Sequence, residues 1–376
     1  MRIRPEYAPL VLGSKVGCGV QGEAPLDQLD SVCDRVLCLD ESLEFYLPRF
    51  GPRAWLRIVH DSGNWKDPRL WAEHCAIRMA TAYRYGCRDL IVGNEQIALE
   101  GLSANPDAYR WLNEWGLANL AMLRQQLDWR GCPGVRVWGP ALSPGHSEDD
   151  FFQGYRLLAP YLAQLDGIAV HNYWGPGWGF IGAPDAQWWA QRIVRAHALI
   201  EGELGIVKPW SITEYNRKVD RGDHGDIVNY ASECRRYHAW TNSLDRVVAV
   251  FTFLGYNRDP GFDDLTWAKM NGMLDLMRSG WDRMSEGEWR NENPMDYQER
   301  LRNYADLWKR WGSGLNPEAA IARRWIDLAE GGRFIEPPVE PEHTSENGRY
   351  NVQAFTAGVL CYDSTTGAVS EGYPFA

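Results

Sequence analysis

Short apolar runs rich in β-type residues alternate along this chain with longer stretches whose apolar positions recur at helical spacing. Eight such runs are found: Lys15–Val20, Arg35–Asp40, Trp55–His60, Asp89–Asn94, Val135–Pro140, Gly167–Asn172, Trp210–Glu214 and Val247–Phe253. Leu-Ile-Val at 90–92 and Val-Val-Ala-Val-Phe at 247–251 are apolar on consecutive positions, as strands covered on both faces must be. Between the runs, Trp71–Tyr85, Pro106–Trp129, Gln187–Leu204 and Val228–Ser243 read as helices; the second carries Leu112, Leu117, Leu120 and Leu123. The first two connecting segments, 24–32 and 41–48, read as short helices. Repeated β–α units with buried strands predict a parallel sheet, and eight units predict its closure into an α/β (β/α)₈ TIM barrel. A doubly wound open sheet is the alternative topology.

After the eighth run comes a connection, Asn257–Asn293, that contains Trp267, Met270, Met273 and Trp281. Its length suits a functional lid or small embedded helices better than a plain loop. Met295–Trp311 and Pro317–Leu328 read as helices that complete the barrel, which then occupies residues 1–331. Residues 332–376 form a Pro-containing linker (Pro337, Pro338, Pro341) and a C-terminal extension. Within it Tyr350–Tyr362 is rich in β-type residues, readable as a strand packed on the barrel or as a disordered tail.

With 45% hydrophobic and 24% charged residues the chain is an ordinary globular one, with enough apolar material for a full core. A net charge of −11 without any Lys/Arg-rich run argues against nucleic acid as a partner. No apolar window is long enough for a membrane span and the N-terminus lacks the pattern of a signal peptide, so a cytoplasmic protein that is not embedded in a membrane is expected. Eight cysteines show neither a CxxC pair nor zinc-type spacing, and Cys38, within Val-Leu-Cys-Leu, reads as a buried free thiol. No cofactor and no metal is expected. Oligomeric state is not legible.

In a (β/α)₈ barrel the chemistry sits at the C-terminal ends of the strands. The fourth run ends in Gly-Asn-Glu at 93–95, and the seventh in Thr-Glu-Tyr-Asn at 213–216. Strands four and seven face each other across a barrel mouth, so Glu95 and Glu214 can flank one bond. Two such carboxyls are what glycosidic cleavage needs: one protonates the leaving oxygen, the other attacks the anomeric carbon or activates water.

Ile-Val-Gly-Asn-Glu-Gln at 91–96 resembles the Asn-Glu signature that ends strand four in clan A (4/7 superfamily) retaining glycoside hydrolases. Trp-Ser-Ile-Thr-Glu-Tyr at 210–215 is similar to that clan's strand-seven signature, and Ile-Ala-Val-His-Asn-Tyr-Trp at 168–174 to its sixth strand. Val-Trp-Gly-Pro-Ala at 137–141 is similar to a fifth-strand pattern in several of its families. The resemblance covers residues 15–330, and its specificity lies in the ordered set. It implies a retaining double displacement with Glu95 as acid/base and Glu214 as nucleophile. It further implies that Asn94 binds the sugar 2-hydroxyl and that Tyr173 orients Glu214 with His171 nearby. The pattern departs from the clan in three places. Gln96 stands where Pro often follows the acid/base, Phe253 stands where many families carry a Trp floor, and the arginine some families place near strand two has no match there, Arg57 lying on strand three.

Nineteen tryptophans exceed an average share about fourfold, which suits a carbohydrate substrate whose flat C–H faces pack on indoles. Trp174 and Trp178, in the glycine-rich stretch after strand six, are candidate sugar platforms, with Trp65 a further one. His60 and Asp61, ending strand three, are candidates for sugar hydroxyls. Two other functions fit parts of the pattern. A metal-dependent sugar isomerase or epimerase would use Asp61, Glu95, His171 and Glu214 as ligands, and a non-catalytic carbohydrate-binding barrel would use the mouth without turnover.

Overall fold

Eight parallel strands close on themselves in sequence order: β1 (Val16–Gln21), β2 (Arg35–Leu39), β3 (Ala54–Ile58), β4 (Asp89–Val92), β5 (Arg136–Leu142), β6 (Gly167–Trp174), β7 (Trp210–Arg217) and β8 (Val247–Asn257). The β1–β8 ladder, from Val16↔Val250 to Gln21↔Asn257, seals the barrel and excludes the open sheet. The computed structural model describes residues 2–12, 14–23, 26–39, 43–58, 66–95, 106–142, 153–175, 179–183, 186–217, 227–257, 266–270, 272–277, 321, 324–325, 343–344, 350–355, 358–366 and 369–371. The helices read for 295–311 and 317–328 lie outside the described residues, apart from helical turns at Ile321, Arg324 and Trp325.

Outside the strands lie α1 (Leu26–Asp30), α2 (Leu43–Phe50), α3 (Pro68–Arg84), α4 (Pro106–Trp129), α5 (Gln153–Leu157), α6 (Ala159–Gln164), α7 (Arg192–His197), α8 (Ile227–Ser243) and α9 (Met273–Met277). Asp67 caps α3, its carboxylate accepting from the backbone N–H groups of Arg69 and Leu70 at 2.8 and 3.3 Å. The stretch read as one helix over Gln187–Leu204 is a 3₁₀ turn, α7 and then a π-helical segment, Ala198–Glu203. Within the connection after β8, α9 is one short helix, and Trp267 is fully buried.

The barrel interior is filled rather than open. Trp55 on β3 packs on Trp138 of β5 at 4.6 Å between ring centroids and on Phe251 of β8 at 5.4 Å. Glycines make room for these rings: a Cβ at Gly167 would lie 2.0 Å from Trp138, and one at Gly17 would lie 2.5 Å from Phe251. Buried Asp89 fixes the base of β5, accepting from Trp138 Nε1 at 2.9 Å and from Arg136 Nε and Nη2 at 2.7 and 2.6 Å. The N-terminal segment closes the bottom, where Ile3, Tyr7, Leu10 and Val11 pack on the same interior cluster as Leu37, Ile91 and Ala169.

The C-terminal extension is neither a lone strand nor a structureless tail in its described part. It forms a four-stranded antiparallel sheet ordered β12-β11-β10-β9, from β9 (His343–Thr344), β10 (Tyr350–Phe355), β11 (Gly358–Asp363) and β12 (Val369–Glu371). Val352, Cys361 and Val359 make a small apolar cluster on it. All eight cysteines are buried and unpaired as disulfides. Among the described residues no helix is long and apolar enough to cross a membrane.

Candidate active site

Side-chain alternation on each strand sets which residues reach the barrel mouth. Trp55, Ala169 and Phe251 point into the interior core. Two positions further along their strands come Arg57, His171 and Phe253, and four along β6 comes Tyr173. β7 breaks its alternation to join them. Its register with β6 runs Val170↔Ile212 and then His171↔Glu214, and its register with β8 runs Ile212↔Val250 and then Tyr215↔Thr252. Both ladders therefore place one extra residue on β7, a β-bulge at 213–214 that re-aims Glu214 beside His171.

Glu95 stands just beyond β4 with φ 51, in the left-handed region that non-glycine residues rarely occupy. Its side chain is 27% exposed, against 6% for Glu214. His171 is fully buried between the two: its Nδ1 lies 3.1 Å from Oε1 of Glu95 and 3.3 Å from Oε2 of Glu214. An N–H at Nδ1 serves either acceptor. One oxygen of each carboxylate and a ring nitrogen of His171 all lie within 4.8 Å of one another.

Glu214 has a close partner at each oxygen. Arg57 Nη1 forms an ion pair with Oε1 at 2.5 Å, and the Tyr173 hydroxyl donates to Oε2. Burial, then the charge of Glu214, pushes the Tyr173 phenol well above its usual range, so it remains a donor. Two carboxylate charges at the separation seen here repel by about 3 kcal/mol at an effective dielectric of 20, and the Arg57 guanidinium relieves that repulsion on the Glu214 side.

Behind the site, Asn216 Nδ2 donates to the Phe253 carbonyl while its Oδ1 accepts from the Tyr230 hydroxyl and the Arg217 N–H. Asn94 and Phe253 are half-buried at the rim. His60, Asp61, Trp65 and Trp178 lie outside the described residues. Trp174 requires a correction. It is fully buried and is no surface platform: its indole stacks on Tyr237 and Tyr215 at 5.1 and 6.1 Å, and Nε1 donates to Glu233 Oε2 at 2.8 Å. With His171 and Tyr173 facing the interior, alternation turns Trp174 toward the helical layer. Arg57 was the site residue not foreseen; its signal was a lone charge inside the otherwise apolar Ala-Trp-Leu-Arg-Ile of β3.

Glu95, His171 and Glu214 also form a donor set that could hold a metal ion. The Arg57 cation at Oε1 and the Tyr173 hydroxyl at Oε2 already occupy the Glu214 oxygens, so the fit to a divalent ion is poor.

No family model and no curated protein matches the chain. Solved structures do. One is a variant GH128 (subgroup I) endo-beta-1,3-glucanase from Amycolatopsis mediterranei in complex with laminaripentaose, 15% identical over 71% of this chain and 99% of that one, with a TM-score of 0.44. Another is a glucosidase from Croceicoccus marinus, 12% identical over 72% of this chain and 67% of that one, with a TM-score of 0.48. The closed ladder of eight strands is what establishes the TIM-barrel fold of this chain.

Proposed function

We propose that this protein is a retaining glycoside hydrolase acting on an oligo- or polysaccharide, with Glu214 as nucleophile and Glu95 as acid/base. The observation that carries this reading is the pair of carboxylates at the barrel mouth with oxygens within 4.8 Å of each other. Retaining pairs stand about 5–5.5 Å apart, whereas inverting pairs need about 6.5–9.5 Å to admit a water molecule.

The surroundings divide the labour. Glu214 is held between the Arg57 guanidinium and the Tyr173 hydroxyl, which fix its carboxylate for attack. Glu95 is the more open of the two, its side chain 27% exposed against 6% for Glu214, so a leaving-group oxygen and then a water can meet it. In the first step Glu214 attacks the anomeric carbon while Glu95 protonates the departing oxygen. In the second, Glu95 deprotonates a water that releases the sugar from Glu214. His171, touching both carboxylates, holds them in mutual register through the exchange.

The same three donors favour a second reading, a metal-dependent sugar isomerase. The ion pair of Arg57 on Glu214 weighs against it, because a divalent ion would have to displace a buried guanidinium. The test is a screen of aryl glycosides and polysaccharides with Glu214→Gln as the blank, repeated after exhaustive EDTA treatment. Turnover that survives EDTA and vanishes in Glu214→Gln supports the hydrolase. Absence of glycoside turnover, together with interconversion of free sugars that disappears with EDTA and returns with Mg²⁺, Mn²⁺ or Co²⁺, supports the isomerase.

A further inference from the structure

The fifth strand carries a distortion that nothing in the mechanism above uses. Its register with β6 runs Pro140↔Ala169 and then Leu142↔Val170, so Ala141 is an extra, unmatched residue. Ala141 has φ 53, and Glu95 is the other non-glycine residue with positive φ among the described residues. The two are directly joined: the Glu95 N–H donates to the Ala141 carbonyl at 3.3 Å. A bulge residue of this kind is normally glycine, because a Cβ crowds the left-handed conformation. Here the methyl group is fully buried in the interior cluster that contains Trp138 and Ala169, and that packing holds the backbone in place.

The next carbonyl is anchored from behind. Arg192, fully buried at the start of α7, donates from Nη1 to the Leu142 oxygen at 3.0 Å, and its guanidinium lies 5.7 Å from the Tyr155 ring centroid. A buried charged side chain is costly unless it is well used, and this one pins the strand immediately past the bulge. The bulge turns the Ala141 carbonyl toward β4, and that carbonyl receives the N–H of Glu95.

We propose that the β5 bulge, Ala141 with Arg192 behind it, is a positioning device for Glu95 that fixes where its carboxyl meets the leaving-group oxygen. This rests on the acid/base role proposed for Glu95. A positioning defect that acts through the acid has a signature that a general structural defect lacks. It slows cleavage of substrates whose leaving group needs a proton and spares those whose leaving group departs unaided.

The experiment compares Ala141→Val, Ala141→Gly, Arg192→Lys and Glu95→Ala on aryl glycosides spanning leaving-group acidity. Valine cannot readily hold a positive φ, whereas glycine can. Ala141→Val and Arg192→Lys are expected to lose about 10²-fold in kcat/KM on poor leaving groups, the scale of a 1 Å misplacement, with dinitrophenyl glycosides nearly unaffected. Ala141→Gly, which accepts the positive φ but lacks the buried methyl, is expected to lose less than Ala141→Val and with the same dependence on leaving group. Arg192→Lys, which retains the charge, carries the test if Ala141→Val does not fold. Losses uniform across leaving groups, or none in folded variants, overturn the inference while Glu95→Ala still shows the selective loss. A Glu95→Ala variant without selectivity overturns the acid/base reading itself, and this inference with it.

Discussion

Arg57 and Glu214 form an ion pair of 2.5 Å in which the two side chains are 3% and 6% exposed. Removing either partner strands the other's charge in a nearly dry place. Arg57→Met and Glu214→Gln should therefore each destabilise the fold, by about 3–5 kcal/mol for a buried pair broken on one side. The double variant removes both charges and should be more stable than the two losses added together, by about 1–3 kcal/mol. Urea denaturation of the four proteins measures this. Strict additivity would show that the two groups do not compensate each other, and the division of roles between the glutamates would lose its electrostatic basis.

The burial of Trp174 changes what its substitution does. Trp174→Ala should cost about 3–5 kcal/mol of stability, the scale for emptying a buried aromatic site, by unstacking Tyr215 and Tyr237 and releasing Glu233. Trp174→Phe, which refills most of the volume, should fold and leave KM unchanged on any active substrate. A raised KM in a stably folded Trp174→Phe would return the indole to the substrate site.

The sixth apolar run reads as ending at Asn172, which leaves Trp174 in a loop and free to project. The strand in fact continues to Trp174, and the period of two then fixes its direction away from His171 and Tyr173. Strand positions were legible because each is a dense apolar run; strand ends were not, since β7 and β8 continue through polar residues as far as Arg217 and Asn257. Helices α5 and α6 went unseen because each is short and Pro160 interrupts the stretch between β5 and β6. The apolar runs put Glu95, His171, Tyr173 and Glu214 near strand ends, and the structure brings these four side chains into contact there. The bulges at 213–214 and at Ala141 leave no mark in composition or periodicity, although one contains Glu214 and the other accepts the Glu95 N–H.

Buried His238 and half-buried His197 should make the fold sensitive to acid. Burial lowers the pKa of His238 from 6.5 to about 3, where its Nε2 meets the Tyr215 hydroxyl. Burial, and next the charge of Arg246, lowers that of His197 to about 4. Above pH 6.5 both are neutral folded or unfolded, and they add no slope. Below it the unfolded chain binds protons that the folded one refuses, so stability falls as pH drops from 6.5 toward 4. The slope is about 1.4 kcal/mol per pH unit for each histidine. Urea midpoints at pH 7.0, 5.5 and 4.5 should decline less steeply in His238→Gln than in the parent protein. Parallel declines would mean that His238 already carries its proton when folded.

The two glutamates should respond differently to removal. In the proposed double displacement nothing can begin without the nucleophile, so Glu214→Ala should be inactive on every substrate; azide or formate placed in the vacated space should then yield product of inverted configuration. Without its acid the enzyme stalls only where the leaving group needs a proton. Glu95→Ala should keep appreciable glycosylation of dinitrophenyl glycosides yet lose turnover of natural linkages by several orders of magnitude, more than the roughly 10²–10⁴-fold typical of general acid catalysis alone, because Glu95 also activates water in the second step. Azide should speed that second step and give a glycosyl azide of retained configuration, since it enters from the face Glu95 has left. The alkaline limb of the pH–rate curve, which reports loss of the proton from the acid, should disappear in Glu95→Ala. His171 touches both carboxylates, at 3.1 and 3.3 Å, so His171→Ala should impair both steps together and not mimic either variant. Equal, leaving-group-independent losses in Glu95→Ala and Glu214→Ala would mean that the close carboxylate pair is not an acid/base and nucleophile acting in turn.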